Sequence, residues 1–464
     1  MTEHEVTLIL EENHRLRQRI VQLERELAAL RKNSSTSSKP PSSDIVKPPN
    51  PSKQPATSGS RKAGGQPGHP KHARPAFPLE QLDQTHEYTL DTCPCCGTAL
   101  EAAEKAPQII QQIEIVEMPV RIEEHRGSAY WCPSCRTIQY APFPPQVANG
   151  GLFGAKLTAL VAYMKGVCHA SFSTIRKFLR DVLGCPVSRG HLRNVIVTVS
   201  DALEPAFDEL LNALPAQAAL HIDETGHTDN GERFWTWCFK ASMYTLFRID
   251  KSRGSQVLLD VLGEEFSGII GCDYFSAYRK YMRLNDKVAV QFCLAHLIRD
   301  VKYLITLSDP KTKAYGERLR GGLKALFEVI HRHGEVESSV FHQTLAQRRD
   351  ALLRDATEQV PDTKEARNMA KRFEQHGTQY FQFITTPEIE PTNNLAEQAI
   401  RFVVIDRRIT QGTRSQSGRD WCERIWTVIA TCTQRGLDMF EFLYQSICAH
   451  WEQTPHPSLL HDSG

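Results

Sequence analysis

The chain has 464 residues, enough for two to four domains at ~150 residues each. It is 41% hydrophobic and 23% charged, and 55 Lys+Arg against 54 Asp+Glu leave a net charge of +1. Net charge therefore names no partner, and any electrostatic preference must come from how charge is distributed along the chain. No apolar run reaches the roughly 18 residues of a membrane span; the nearest, Gly151 to Val167, carries Lys156 and Lys165. The N-terminus is charged from Glu3 onward and has no apolar signal core. The thirteen cysteines are odd in number and mostly scattered. The expectation is a cytoplasmic protein with no membrane partner, whose clustered cysteines bind metal instead of forming disulfides.

Residues 1–31 are read as a dimerising coiled coil. Val6, Asn13, Ile20 and Leu27 fall at one apolar heptad position, and Ile9, Leu16, Leu23 and Leu30 at the other. Glu12–Arg17, Arg19–Glu24 and Glu26–Arg31 occupy flanking positions with opposite sign. A lone seam asparagine beside leucines favours an in-register parallel homodimer. Residues 32–84 then read as a disordered basic linker. The stretch from Arg31 to Glu80 holds ten Pro and nine Ser, with nine Lys/Arg against only Asp44 and Glu80. Such a segment buries too little to offset chain entropy, and its charge suits phosphate backbones.

Residues 85–145 carry two C-x2-C pairs, Cys93/Cys96 and Cys132/Cys135, separated by 35 residues. Two such knuckles close a structural four-thiolate Zn2+ site. Gln108–Arg126 and Gly127–Trp131 read as short strands of a zinc-ribbon-like module. Residues 150–214 read as helix-turn-helix-like. Their helices cover Leu152–Lys165, Ser171–Leu183 ended by Gly184, and a third capped by Ser188. Arg176, Lys177, Arg180, Arg189 and Arg193 supply charge for contacts to a DNA backbone.

After Pro215 the periodicity changes to that of strands. Ala219–His227, Phe234–Lys240 and Met243–Asp250 read as a three-stranded meander, followed by a helix over Ser255–Gly263. Gly268–Asp273 and Val288–Phe292 are a fourth and fifth strand, the latter running into a helix from Leu294. This is the ribonuclease-H-like order, in which the first and fourth strands end side by side. Asp223 and Asp273 would then meet across the 49 residues between them. Adjacent carboxylates repel unless a divalent cation lies between them, and hard oxygen ligands suit Mg2+ (or Mn2+). Glu397, on a helix capped by Thr392 or Asn393, would complete a two-metal site for phosphodiester chemistry. Lys302–Phe381 reads as an all-helical insertion within a catalytic domain spanning 215–440, and 441–464 as a C-terminal tail. The expected fold is thus α/β and multidomain. Cys293 and His296 have C-x2-H spacing without a second pair, which favours packing, with His296 as support for the acids.

These motifs together resemble a transposase of the insertion sequence 66 family, one of the DDE transposases. The resemblance runs nearly end to end. It includes Arg61-Lys-Ala-Gly-Gly-Gln-Pro-Gly-His69, the four cysteines, His221-Ile-Asp-Glu-Thr225, Gly271-Cys-Asp-Tyr-Phe-Ser-Ala-Tyr278, Cys293-Leu-Ala-His296 and Asn393-Asn-Leu-Ala-Glu397. It implies that Asp223, Asp273 and Glu397 are the metal-binding triad. It further implies cleavage at the ends of a mobile element, then attack of the freed 3′-hydroxyl on target DNA. The partners implied are double-stranded DNA, a second copy of the chain and accessory proteins of the same element. Candidate DNA contacts are Arg61, Lys62, Arg189, Arg193, Arg401, Arg407 and Arg408. Two departures stand out: Gln398 replaces a usual Arg, and Asp406-Arg-Arg-Ile-Thr410 replaces a run of Arg-Lys-Asn-Trp type. They point to altered DNA-end contacts with the chemistry kept. The rivals are another ribonuclease-H-like nuclease, which leaves coil, linker and zinc module unexplained, and a transposase-derived regulator with a dead core, which the three acids oppose.

Overall fold

A computed structural model of the chain describes residues 76–86, 109–113, 119–134, 136–332, 337–386 and 388–460, with isolated positions 12, 15, 16, 19, 95 and 99. The coil, the linker up to residue 75 with Arg61 and Lys62, and Cys93, Cys96 and Cys135 lie outside the described residues, except that Glu12, Arg15, Leu16 and Arg19 are helical and exposed. Two compact units are present, one of Pro49–Glu124 and one of Met1–Pro48 with His125–Gly464.

In the smaller unit the end of the expected linker is ordered. A single 3-10 turn covers Leu79–Gln81. Both backbone polar groups of Phe77 bond the Gln111 side chain, at 2.6 and 3.0 Å. A disordered segment reaching residue 84 is therefore corrected. The strand expected over Gln108–Arg126 centres on residues 114–118, which lie outside the described residues; 109–113 and 119–126 on either side carry no strand.

The larger unit opens with a hairpin, β1 (Ala129–Cys132) against β2 (Thr137–Tyr140). Its turn closes through Arg136 N–H donating to Cys132 O at 2.8 Å, with Arg136 at φ 53°. Helices α1 (Pro145–Gly150), α2 (Ala155–Gly166), α3 (Phe172–Leu183) and α4 (Arg189–Ala213) follow. The caps fall where the sequence puts them. Ser171 Oγ accepts from Thr174 N–H and Ser188 Oγ from His191 N–H, both at 3.1 Å. Gly184 ends α3 in the left-handed region at φ 63°.

Five strands build the central sheet: β3 (Ala219–Asp229), β4 (Glu232–Lys240), β5 (Thr245–Asp250), β6 (Ile269–Cys272) and β7 (Ala289–Phe292), in the order β5-β4-β3-β6-β7. β3, β4 and β5 are antiparallel neighbours, while β3, β6 and β7 run parallel. Asn230-Gly231, at φ 48° and 85°, makes the tight β3–β4 turn, as expected for a two-residue loop with both central φ positive. Helices α5 (Ser255–Leu262) and α6 (Ser276–Leu284) make the crossovers on either side of β6. α6 was not expected from the sequence. It buries Ala277, Tyr278 and Tyr281 on one face, a stripe hidden among Arg and Lys.

Beyond β7 come α7 (Leu294–Ile305), α8 (Pro310–His331), α9 (Ser338–Thr357) and α10 (Lys364–His376), then α11 (Asn394–Thr410), α12 (Gln416–Arg435) and α13 (Met439–Glu452). The stretch read as an insertion is helical in its described residues. The tail expected at 441–464 is a correction: α13 buries Phe442, Leu443, Ile447 and Trp451 and packs on α2 and α4. α12 also packs on α4, so the boundary drawn at 214/215 separates helices that share one core. Pairings this distant leave no local pattern in the sequence.

α12 also closes the exposed edge of the sheet. Thr431 Oγ1, Thr427 Oγ1 and Glu423 Oε1 accept from the backbone N–H groups of Thr245, Phe247 and Ile249 at 3.2, 3.0 and 2.5 Å. Four-residue spacing on the helix thus meets two-residue spacing on the strand, and the edge cannot recruit another strand. Thr427→Val keeps the shape but strands a buried donor, so urea denaturation should show a loss of about 1–3 kcal/mol.

Candidate active site

β3 and β6 pair in parallel from Ala219↔Ile269 to His221↔Gly271. Continuing that register brings Asp223 level with Asp273, just past the end of β6. Asp223 is not at a strand end as expected, since β3 runs on to Asp229 against β4; it lies where the parallel pairing stops. Asp273 is 7% exposed. Its Oδ1 accepts from Phe275 N–H at 2.8 Å, and Asp223 Oδ1 from Glu224 N–H at 3.0 Å. Burial, then the charge of Glu224, pushes the Asp273 carboxyl up to about 8. Asp223 is also held well above the ordinary carboxylate range, by burial first and then by Glu224, Asp273 and Glu397. Two buried carboxyls held above their ordinary range, one of them by the charges of neighbouring acids, suit a place that takes up positive charge.

Alternation along β3 separates two networks. His221, Asp223 and Thr225 share the face covered by α11, whereas Glu224 points to the other face. Glu224 is buried there, bonded by Arg253 Nη2 at 2.7 Å and by Tyr278 OH at 2.5 Å. The Arg253 guanidinium lies over the rings of Phe275 and Trp235, at 3.9 and 4.5 Å. This second network braces the loop after Asp273 from behind.

Glu397 stands in the first turn of α11, and the start of that helix is pinned from two sides. Leu294 N–H donates to Pro391 O at 2.9 Å, and Asn393 N–H to Cys293 Sγ at 3.2 Å. The Asn393 amide donates to Ile222 O at 2.8 Å and sets its Oδ1 3.3 Å from His221 Nδ1. Asn393 occupies the cap position but makes no capping bond with its side chain; buried against β3, it serves the strand instead. Glu397 Oε1 lies 3.5 Å from His296 Nδ1 and its Oε2 3.5 Å from Arg299 Nη2. His296 therefore does sit beside the acid, while Arg299 and His221 are site residues that the sequence reading missed. In the sequence His221 stands out only by standing two residues before Asp223, and Arg299 only by lying one helical turn after His296.

Gly271 is required by this packing. A Cβ there would lie 2.7 Å from His221 Nδ1 and 3.1 Å from Ile389 Cδ1. Gly271→Ala should drive the imidazole off Asn393 and cost about 1–3 kcal/mol, measured by urea unfolding.

The candidate DNA contacts divide. Arg189, Arg193, Arg401 and Arg408 are exposed. Arg407 is half-buried and donates through Nη1 to Thr225 Oγ1 at 3.1 Å, on the face of β3 that carries Asp223. Asp406, one of the departures noted above, is buried and accepts from Trp426 Nε1 and His169 Nδ1, both at 2.9 Å. It ties α11 to α12 and to the α2–α3 turn. Among the described residues, no helix is long and apolar enough to cross a membrane.

Residues 150–420 match the sequence profile described as the Transposase IS66 family. Residues 91–136 match the zinc-finger binding domain of transposase IS66, and residues 3–75 a family of unknown function. Two curated relatives come from Sinorhizobium fredii. The uncharacterized protein y4hP is 23% identical over 371 residues, covering 71% of this chain and 65% of its own length. The uncharacterized protein y4qI is 21% identical over 372 residues, covering 73% and 67%.

Proposed function

The chain belongs to the IS66 family of transposases, and from that premise we propose that it is a DNA transposase that binds the ends of its mobile element, cleaves there and joins the freed end to target DNA. Its catalytic core is read as ribonuclease-H-like, supported by three antiparallel strands followed by two parallel ones. Asp223, Asp273 and Glu397 are the residues that would hold Mg2+ (or Mn2+). The observation that supports this reading is that the charges of Asp273 and Glu397 both bear on the buried Asp223 carboxyl, with Glu397 Oε1 left without a hydrogen-bond partner. Divalent cations held there would supply Lewis-acid stabilisation of the attacking and leaving oxygens.

The chain's own residues do the positioning. Asn393 and His221 hold Glu397 toward β3, and the Glu224–Arg253–Tyr278 network holds the segment after Asp273. Exposed Arg189, Arg193, Arg401 and Arg408 offer cations to the DNA backbone without reading its sequence. The family's zinc-finger match supports Zn2+ on Cys93, Cys96, Cys132 and Cys135, and the tight turn after Cys132 is compatible with a knuckle. Residues 1–31 would pair two copies of the chain.

The test is strand nicking of duplex DNA carrying the element's terminal repeats by the full chain. Nicking is expected with Mg2+ and none with EDTA. Failure of the folded chain to nick with Mg2+ or Mn2+ would sink the proposal.

A further inference from the structure

Cys293, His296 and Glu397 offer one ligand atom each, all within 4.8 Å of one another. Cys293 is the N-cap of α7 and His296 stands in its first turn, so three-residue spacing puts both on one face. Glu397 arrives from α11. Cys293 and His296 are only 2% and 5% exposed. His296 Nδ1 and Glu397 Oε1 are buried without a hydrogen-bond partner and face each other at 3.5 Å. Orphaned buried polar atoms are costly and call for a reason. In a tetrahedral zinc site, bond lengths of about 2.0–2.1 Å place neighbouring N and O donors about 3.3 Å apart.

We propose that Cys293 Sγ, His296 Nδ1 and Glu397 Oε1 form a second transition-metal site, taking Zn2+ or Co2+, distinct from the four-thiolate module and sharing Glu397 with the acid triad. Thiolate, imidazole and carboxylate form a borderline-soft set that selects Zn2+ over Mg2+. The Asn393 N–H that already reaches Cys293 Sγ at 3.2 Å would hydrogen-bond the thiolate. Three protein donors leave the fourth position open.

Arg299 sets the strength of the site. Its Nη1 lies 3.2 Å from His296 Nε2 and its Nη2 3.5 Å from Glu397 Oε2, so it approaches both ligands from the side away from the cluster. Binding through Nδ1 puts the imidazole proton on Nε2, facing a guanidinium that can only donate. Arg299→Gln supplies an acceptor there, so it should tighten Zn2+ binding, about tenfold or more as outer-shell partners do. A merely structural role for His296 predicts no change. Occupation also draws Glu397 from the triad, so Zn2+ should inhibit cleavage. That consequence rests on the proposed function; the binding does not.

The experiment is metal stoichiometry and Co2+ absorption on the full chain, with folding checked by circular dichroism. Wild type should bind one more Zn2+ per chain than Cys293→Ala and than Glu397→Gln, the second changing a partly exposed side chain and so independent of any folding defect at the buried cysteine. Cys132→Ser should keep this ion and its single-thiolate Co2+ charge-transfer band. Equal stoichiometry in wild type and both variants, or an Arg299→Gln chain with unchanged Zn2+ affinity, overturns the site. Absence of Mg2+-dependent nicking by the folded chain with this site empty, its Zn2+ binding otherwise as described, overturns the proposed function alone.

Discussion

Asp273→Asn should stabilise the metal-free protein above pH 8 while lowering Mg2+-dependent cleavage by about a thousandfold or more. The Asp273 carboxyl is pushed up to about 8 in the fold, by burial first and then by Glu224, against about 4 when unfolded. A raised carboxyl pKa means the folded state prefers the neutral acid. No penalty arises below about pH 4; it grows as pH rises and is complete above about 8. The Asp273 contribution to wild-type unfolding free energy should thus fall across that window by an amount on the order of several kcal/mol, and the amide should remove that fall. Two buried imidazoles work the other way. Burial lowers His227 and His296 to about 4 each, so their contribution to stability is lost as pH falls from 6.5 to 4. The difference between wild type and Asp273→Asn cancels them. Saturating Mg2+ should restore wild-type stability at pH 8 and do less for the variant. Glu224→Gln should behave oppositely: it leaves Arg253 without its carboxylate partner and should destabilise the chain. A stability difference between wild type and Asp273→Asn that is flat from pH 4 to 8 would defeat the account of the site.

What could be read from the sequence is what depends on near neighbours. Ser171, Ser188 and Gly184 mark helix ends because a cap bonds within its own turn. The five strands were legible because each is a short apolar run between turn residues. Asp223 and Asp273 could be paired because the order of elements dictates which strands adjoin. Nothing local announces that Thr427 and Thr431 serve the edge of β5, or that α13 belongs to the core of α2 and α4. Nor does anything local announce that Arg407 reaches across to Thr225. Asn393 is the sharpest case. Its residue type and position both suit a cap, and only its tertiary partners, 172 and 171 residues away, show why the side chain turns elsewhere.

Asn393→Ala should therefore act on Glu397 at a distance. The side chain is 1% exposed. Its loss leaves Ile222 O and His221 Nδ1 unpaired, at about 1–3 kcal/mol, and frees the start of α11 from β3. Glu397 lies one turn further along that helix, so a displacement near 1 Å would cost about 100-fold in cleavage. The Mg2+ concentration for half-maximal cleavage should rise too, because one carboxylate is no longer held toward the other two. DNA binding should persist, since Arg189, Arg193, Arg401 and Arg408 lie on exposed surfaces. Asn393→Asp should be worse than alanine: it keeps an acceptor for His221 but turns a carboxylate oxygen on Ile222 O. Combined with Glu397→Gln, the alanine should cost little more than the amide alone, because both act through the same carboxylate. An Asn393→Ala chain that cleaves with the wild-type Mg2+ requirement would show that α11 is held by Pro391 and Cys293 alone.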